Sequence, residues 1–300
     1  MNKKQWIYLF CTCVILLVPS ACSNNKITME HVHGLGFTSN GKQLLIPAHD
    51  GLVSYSEGKW QEVDTPKNDY MGFQTVDTGF YSSGHPGTSS TMKNPLGIVK
   101  SADLGQTLTK LGFEGESDFH GMAVGYKTHA IYVINEQPNS RLNAAGLFYS
   151  TDDAKSWTKS AAAGLNVAPT ALAVHPSDEK IVAIGTKSGL FISKDYGAHF
   201  DKMVSELWIT SLNFDGKGEL SIASVNNPNI IIINLTTNEK KEMKLPALDK
   251  EDAVSYIAQN PKDSNEIAIA TFKKDVYISK DSGSSWTHIA DNGSGKSRSR

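Results

Sequence analysis

Ser279-Lys-Asp281-Ser-Gly283-Ser-Ser-Trp286 recurs three more times, with losses, in this 300-residue chain. Ser193-Lys-Asp195-Tyr-Gly197-Ala-His-Phe200 exchanges Trp for Phe, Ser150-Thr-Asp152-Asp-Ala154-Lys-Ser-Trp157 lacks the Gly, and Ser101-Ala-Asp103-Leu-Gly105-Gln-Thr-Leu108 lacks the aromatic. The starts lie 49, 43 and 86 residues apart, and 86 is twice 43. A degenerate unit is therefore expected near residue 236, in Asn234-Leu-Thr-Thr-Asn-Glu-Lys240, and another in Ser54-Tyr-Ser-Glu-Gly58-Lys-Trp60. The chemistry of the unit is that of a hairpin turn: the carboxylate can accept backbone N–H bonds, the Gly supplies positive φ, and the aromatic packs beneath. Asp103, Asp152, Asp195 and Asp281 are accordingly read as structural residues.

Units of about 45 residues match a four-stranded propeller blade. Aligned backwards from the turns, the sequence yields six short apolar runs as innermost strands, at 31–37, 69–75, 118–124, 168–174, 208–214 and 253–259. Helix-period segments are nearly absent. The expected fold is all-β, a six-bladed β-propeller of four-stranded blades over residues 27–290. Residues 291–300, rich in Gly, Ser and charge, read as a disordered tail.

The N-terminus has a different character. Lys3 and Lys4 precede an apolar run from Trp6 to Val18, and small residues lead to Cys22. The run is short for a membrane span, and the pattern is that of a lipoprotein signal peptide over residues 1–21. Cys22 is then the lipidation site and residues 22–26 a lipid-anchored linker, which places the protein on the extracytoplasmic face of a bacterial cell membrane. Cys11 and Cys13 leave with the signal, so the domain has no thiol and depends on its core alone. With 39% hydrophobic residues, 20% charged residues and a net charge of −2, nothing implies a nucleic-acid partner.

The third position of the six inner strands reads His33, Met71, His120, Thr170, Thr210, Ser255. Two positions earlier stand His31, Asp69 and Asp118 in blades one to three, and residues two apart share a face of a strand. Second strands run back antiparallel, which brings His49-Asp50 and His85-Pro86 to the same level. Five of nine histidines thus gather at one end of three neighbouring blades. His31, His33, His49, Met71, His85 and His120 form a candidate metal set: imidazole suits zinc, copper and nickel, and a thioether adds a preference for copper. Either a divalent metal or copper fits, and a small polar ligand or glycan is the alternative occupant. Glu114, Glu116, Asp118 and Asp50 are candidate carboxylates for acid/base work on a glycoside. His175, in His175-Pro-Ser-Asp178, reads as a turn histidine at the opposite end.

The repeated turn resembles the Asp-box, or BNR, repeat of the sialidase and sortilin-type propellers and of photosystem assembly factors. The segments at residues 31–35, 48–52, 83–86 and 117–120 are similar to those of Bacillus-type exported propeller lipoproteins named as glycosylhydrolases. The first resemblance implies turns on the outer strands, away from the central funnel. Sialidases clamp their substrate with three arginines, whereas this chain has only Arg141, Arg298 and Arg300, two of them in the tail. Lysine does not reproduce that planar bidentate geometry, so sialidase activity is rejected. Three expectations remain: a membrane-anchored binding module for a metal or small polar ligand, a glycoside hydrolase acting on envelope or exogenous glycans, and an assembly factor with a protein partner. The residues favour binding over catalysis.

Overall fold

The computed structural model describes residues 27–225 and 227–296. Expectations for the signal peptide, for Cys22, for the linker and for residues 297–300 lie outside them. The described chain forms six antiparallel sheets whose strands follow one another in chain order from the centre outward. This is the expected six-bladed propeller. Its innermost strands are Gly36–Phe37, Asp69–Val76, Met122–Val124, Pro169–Val174, Ile209–Phe214 and Val254–Gln259, and each touches the innermost strand of a neighbouring blade.

Two of these strands are shorter than their apolar runs suggest. In blade one, residues 31–33 are held only by a bridge between Val32 and Ala48 and by His33 N–H donating to the Pro47 carbonyl at 3.0 Å. Pro47 has no N–H to return, so the ladder breaks there. In blade three, Ile134 N–H donates to the Gly121 carbonyl, and regular pairing begins at Met122.

The core lies between the blades. Six apolar clusters fill the six seams; one joins Leu45 and Leu52 of blade one to Tyr70 and Phe80 of blade two, and another joins Ala223 and Ile230 of blade five to Ile257 and Ile269 of blade six. No blade buries its own two faces, so stability comes from stacking around the ring.

The ring closes through its ends. Met29 N–H donates to the Gly293 carbonyl at 2.7 Å, Gly295 N–H to the Ile27 carbonyl at 3.0 Å, and Thr28 bridges Ser294. Ile27 and Met29 are buried in the seam between blades six and one. This corrects the expected tail. Asn292 and Gly293 adopt positive φ of 51° and 80°, turn the chain, and return Ser294–Gly295 as a fifth strand of blade six. The propeller therefore extends past residue 290, because the last segment pairs with Ala290 and Asp291 on one side and meets residues 27–29 on the other.

The four Ser-x-Asp turns share one wiring, between the third and fourth strands of their blades. In each, the Ser hydroxyl donates to the Asp carboxylate at 2.7–2.8 Å and accepts the N–H of the residue four positions on at 2.8–3.0 Å. The carboxylate also accepts the N–H and the side chain of Thr107, Ser156, His199 or Ser285. The residue bonded to the Ser hydroxyl lies at positive φ: Gly105, Gly197 and Gly283 at 80–88°, and Ala154 at 60°. The two degenerate units are turns of other kinds. Asn234 Oδ1 accepts the N–H groups of Thr236 and Thr237, and Glu57-Gly58 makes a tight two-residue hairpin.

Ser193 is 1% exposed and its hydroxyl accepts the buried Gly197 N–H. Ser193→Ala is expected to destabilise the fold by about 1–3 kcal/mol, the usual cost of an unpaired buried donor, as measured by urea unfolding. An effect within experimental error would show that the turn does not depend on this bond. The turn carboxylates are also acidified: the hydrogen bonds from Ser156 and from His199 lower Asp152 and Asp195 to about 2, and those from Thr107 and Ser285 lower Asp103 and Asp281. Groups more acidic in the folded than in the unfolded chain contribute stability that is whole above about pH 4 and lost as the pH falls toward 2. The urea midpoint should decline across that window, less steeply in Asp152→Asn; parallel declines would contradict the assignment.

Candidate functional site

The funnel opens into a cavity of about 460 Å³. His33, Met71, His120, Thr170, Thr210 and Ser255, the column read from the six inner strands, all line it. In blades four to six the reason is a β-bulge: pairing skips from Pro169 to Ala171, from Ile209 to Ser211 and from Val254 to Tyr256. The skipped residues are Thr170, Thr210 and Ser255. A bulge re-aims side chains next to a site, so that two successive residues can face the channel.

On blades one to three the histidines gather around two carboxylates. Asp69 begins the inner strand of blade two and its side chain is 12% exposed. Its Oδ2 lies 2.9 Å from His49 Nδ1 and its Oδ1 lies 3.4 Å from His33 Nε2. One donor atom from each of His33, His49 and Asp69 falls within 4.8 Å of the others. His31 stacks on His33 at 5.8 Å and meets His49 edge-on at 5.9 Å. Asp118 organises a second group. Its Oδ2 lies 2.6 Å from His120 Nε2 and 3.3 Å from His85 Nε2, and its Oδ1 accepts a bond from the Ser83 hydroxyl. The Ser83 hydroxyl in turn accepts Phe119 N–H, and His85 Nδ1 meets Asn94 Oδ1 at 2.7 Å. The groups adjoin, since Asp69 and His85 face each other across the first two strands of blade two.

His33 Nε2 and Asp69 Oδ1 are buried and have no hydrogen-bond partner among the described residues. Burial pushes the His33 pKa down, Asp69 opposes this, and His31, His120 and His49 add to the depression. The imidazole is therefore neutral near pH 7, the form that ligates metals. Two imidazoles and a carboxylate with converging lone pairs form a donor set for a transition metal.

A second His/Asp cluster was not anticipated. Asp275, His288 and Asp291 also bring three donor atoms within 4.8 Å, at the outer edge of blade six. There Lys296 Nζ lies 2.9 Å from His288 Nδ1 and 3.4 Å from Asp291, while Asp275 accepts Asn292 N–H. An ammonium already balances this cluster, which pins the turn that closes the ring. Its three members are brought together by the pairing of Val276–Ser279 with Thr287–Asp291, a register the sequence does not show, and Lys296 reaches them by way of the fifth strand.

The remaining candidates are placed as follows. Met71 lines the cavity beside the histidines. Asp50 is exposed in the turn between Leu44–Ala48 and Gly51–Ser56. Glu114 accepts bonds from Lys110 Nζ and from Lys93 N–H, and Glu116 accepts Ser140 N–H. His175 is a turn residue, its Nδ1 accepting the N–H groups of Ser177 and Asp178. Asp69 and Asp118, read from sequence as accompanying carboxylates, are the centres of the two groups.

The fold is similar to that of a GH74 enzyme from Niastella koreensis, with a TM-score of 0.55 and 16% identity over 88% of this chain and 46% of that one. It is also similar to the β-propeller domain of Myceliophteria thermophila Cps50 (Swd1), with 0.54 and 13% over 88% and 87%, and to YCF48 bound to D1 peptide, with 0.50 and 12% over 87% and 81%. The chain spans about half the length of the GH74 enzyme. Identities this low establish a shared fold. No protein-family model and no curated protein matches the sequence.

The hydrogen bonds to Glu114, led by Lys110, and to Glu116, from Ser140, hold both carboxyls below the usual glutamate range. A general acid needs the opposite shift. Carboxyl-carbon NMR titration is expected to find both fully ionised at pH 6; a midpoint above 5 for either would restore it as a candidate proton donor.

Proposed function

We propose that this chain is an exported, lipid-anchored propeller that binds a divalent transition-metal ion at the funnel mouth through His33, His49 and Asp69. The observation that carries the proposal is the pair of buried, unpartnered atoms, His33 Nε2 and Asp69 Oδ1, facing each other at 3.4 Å with His49 Nδ1 on the other oxygen of the same carboxylate. Unpaired buried polar atoms are costly, and a cation between them would satisfy both. His31 stands near enough to orient both histidine ligands. A donor set of two imidazoles and one carboxylate suits zinc, nickel, iron or copper, and Met71 on the same cavity wall supports copper where its sulfur joins the set. The bound metal would supply Lewis acidity and an attachment point for a ligand's oxygen or nitrogen atoms. The N-terminal sequence, with its basic start, apolar run and Cys22, supports the extracytoplasmic setting.

The full-length chain in detergent is expected to take up one zinc ion at this site. A ligand at a hundredfold excess over its Kd stabilises the native state by about 2.7 kcal/mol, which shifts the melting temperature by several degrees in a domain this size. His49 is 52% exposed, so His49→Ala should fold normally and lose most of the shift, as should His33→Ala. Zinc or copper that leaves the wild-type melting temperature unchanged, or that shifts the variants equally, would overturn the proposal.

A further inference from the structure

The wall facing the histidines has its own chemistry. Phe272 follows the second strand of blade six and is 63% exposed, the most exposed of the large apolar side chains among the described residues. It lines the funnel cavity and also a groove of about 400 Å³ that contains His31. Tyr256 and Ser255 line both spaces as well, so cavity and groove meet along this edge. The Ser255 hydroxyl donates to the Ala270 carbonyl. The Tyr256 hydroxyl has no partner among the described residues, and burial raises its pKa, which keeps it a proton donor at neutral pH. On blade five Thr210 Oγ1 is buried in the same cavity, also without a partner.

We propose that the funnel takes a small organic ligand with an oxygen-donor chelating head and an aryl body, the head on the metal at His33, His49 and Asp69 and the body against Phe272, with Tyr256 and Thr210 bonding to its polar atoms. The inference rests on the metal site proposed above. A cavity of about 460 Å³ is within the usual size of small-molecule sites, which hold their ligands with apolar walls and a few convergent polar groups; this one is lined by polar as well as apolar side chains. Here those groups divide by side: His33, the member of the donor set that reaches the cavity, with His120 and Glu136 on blades one and three, and hydroxyl donors with an aromatic face on blades five and six. A purely inorganic site would use the first side alone.

Two probes that share one head separate the contributions: benzohydroxamate and acetohydroxamate, titrated calorimetrically into the zinc-loaded full-length chain. Burial of the phenyl group against Phe272 is expected to make benzohydroxamate bind about tenfold tighter. Phe272→Ala, at an exposed site, should abolish that preference while zinc stoichiometry stays at that of the wild type, and Tyr256→Phe should weaken both probes severalfold. Equal affinities in the wild type, or a preference that persists in Phe272→Ala, would overturn the inference while leaving the metal site standing. A chain that binds no zinc would overturn both.

Discussion

The molecule depends on the pairing of residues 27–29 with residues 293–295. Each apolar cluster belongs to two blades, so a ring open at one seam would expose the inner faces of blades one and six. No cysteine lies within the described residues to lock that seam. Closure instead uses backbone hydrogen bonds, the buried side chains of Ile27 and Met29, the Trp60 indole donating to the Ile289 carbonyl, and the Asp275, His288, Asp291 and Lys296 group at the outer edge. These are individually modest interactions. Together they hold a boundary across which the two ends of the chain meet.

The same closure positions the site. From Met29 at the seam, the chain passes through His31 to His33 before the first strand of blade one begins. The broken ladder at Pro47 leaves this stretch with few regular bonds, which frees His33 to approach Asp69 of the next blade. A regular strand there would fix His33 to the pleat of blade one. The bulges at Thr170, Thr210 and Ser255 act in the same way on the far side, trading a ladder bond for a side chain in the channel.

Much of this was legible in the sequence because the Ser-x-Asp turn is a local structure. Its Ser, Asp and positive-φ residue lie within five positions, so spacing alone reveals it, and the distance between copies counts the blades. The funnel column followed from aligning those copies. Beyond that, strand register decides, and register is not local. That His33 and His49 share Asp69 while His85 and His120 share Asp118 depends on which strands stop early and where pairing skips. The fifth strand of blade six stayed hidden for the same reason: Ser294-Gly295 has no apolar pattern, and it is a strand because it folds back on Ala290 and Asp291 with Thr28 on its other side. Tyr256 and Phe272 carry no motif, and their place in the cavity appears only in three dimensions.

Because the segment that carries His33 follows directly on the seam, the candidate donor set and the closure of the ring share one stretch of chain. Residues 27–29 pair with residues 293–295, and residues 32–33 pair with Ala48 and Pro47 of blade one, so this stretch is fixed from both sides. A change at residue 293 or 295 that loosens the seam would therefore reach the funnel mouth through the backbone that leads from Met29 to His33.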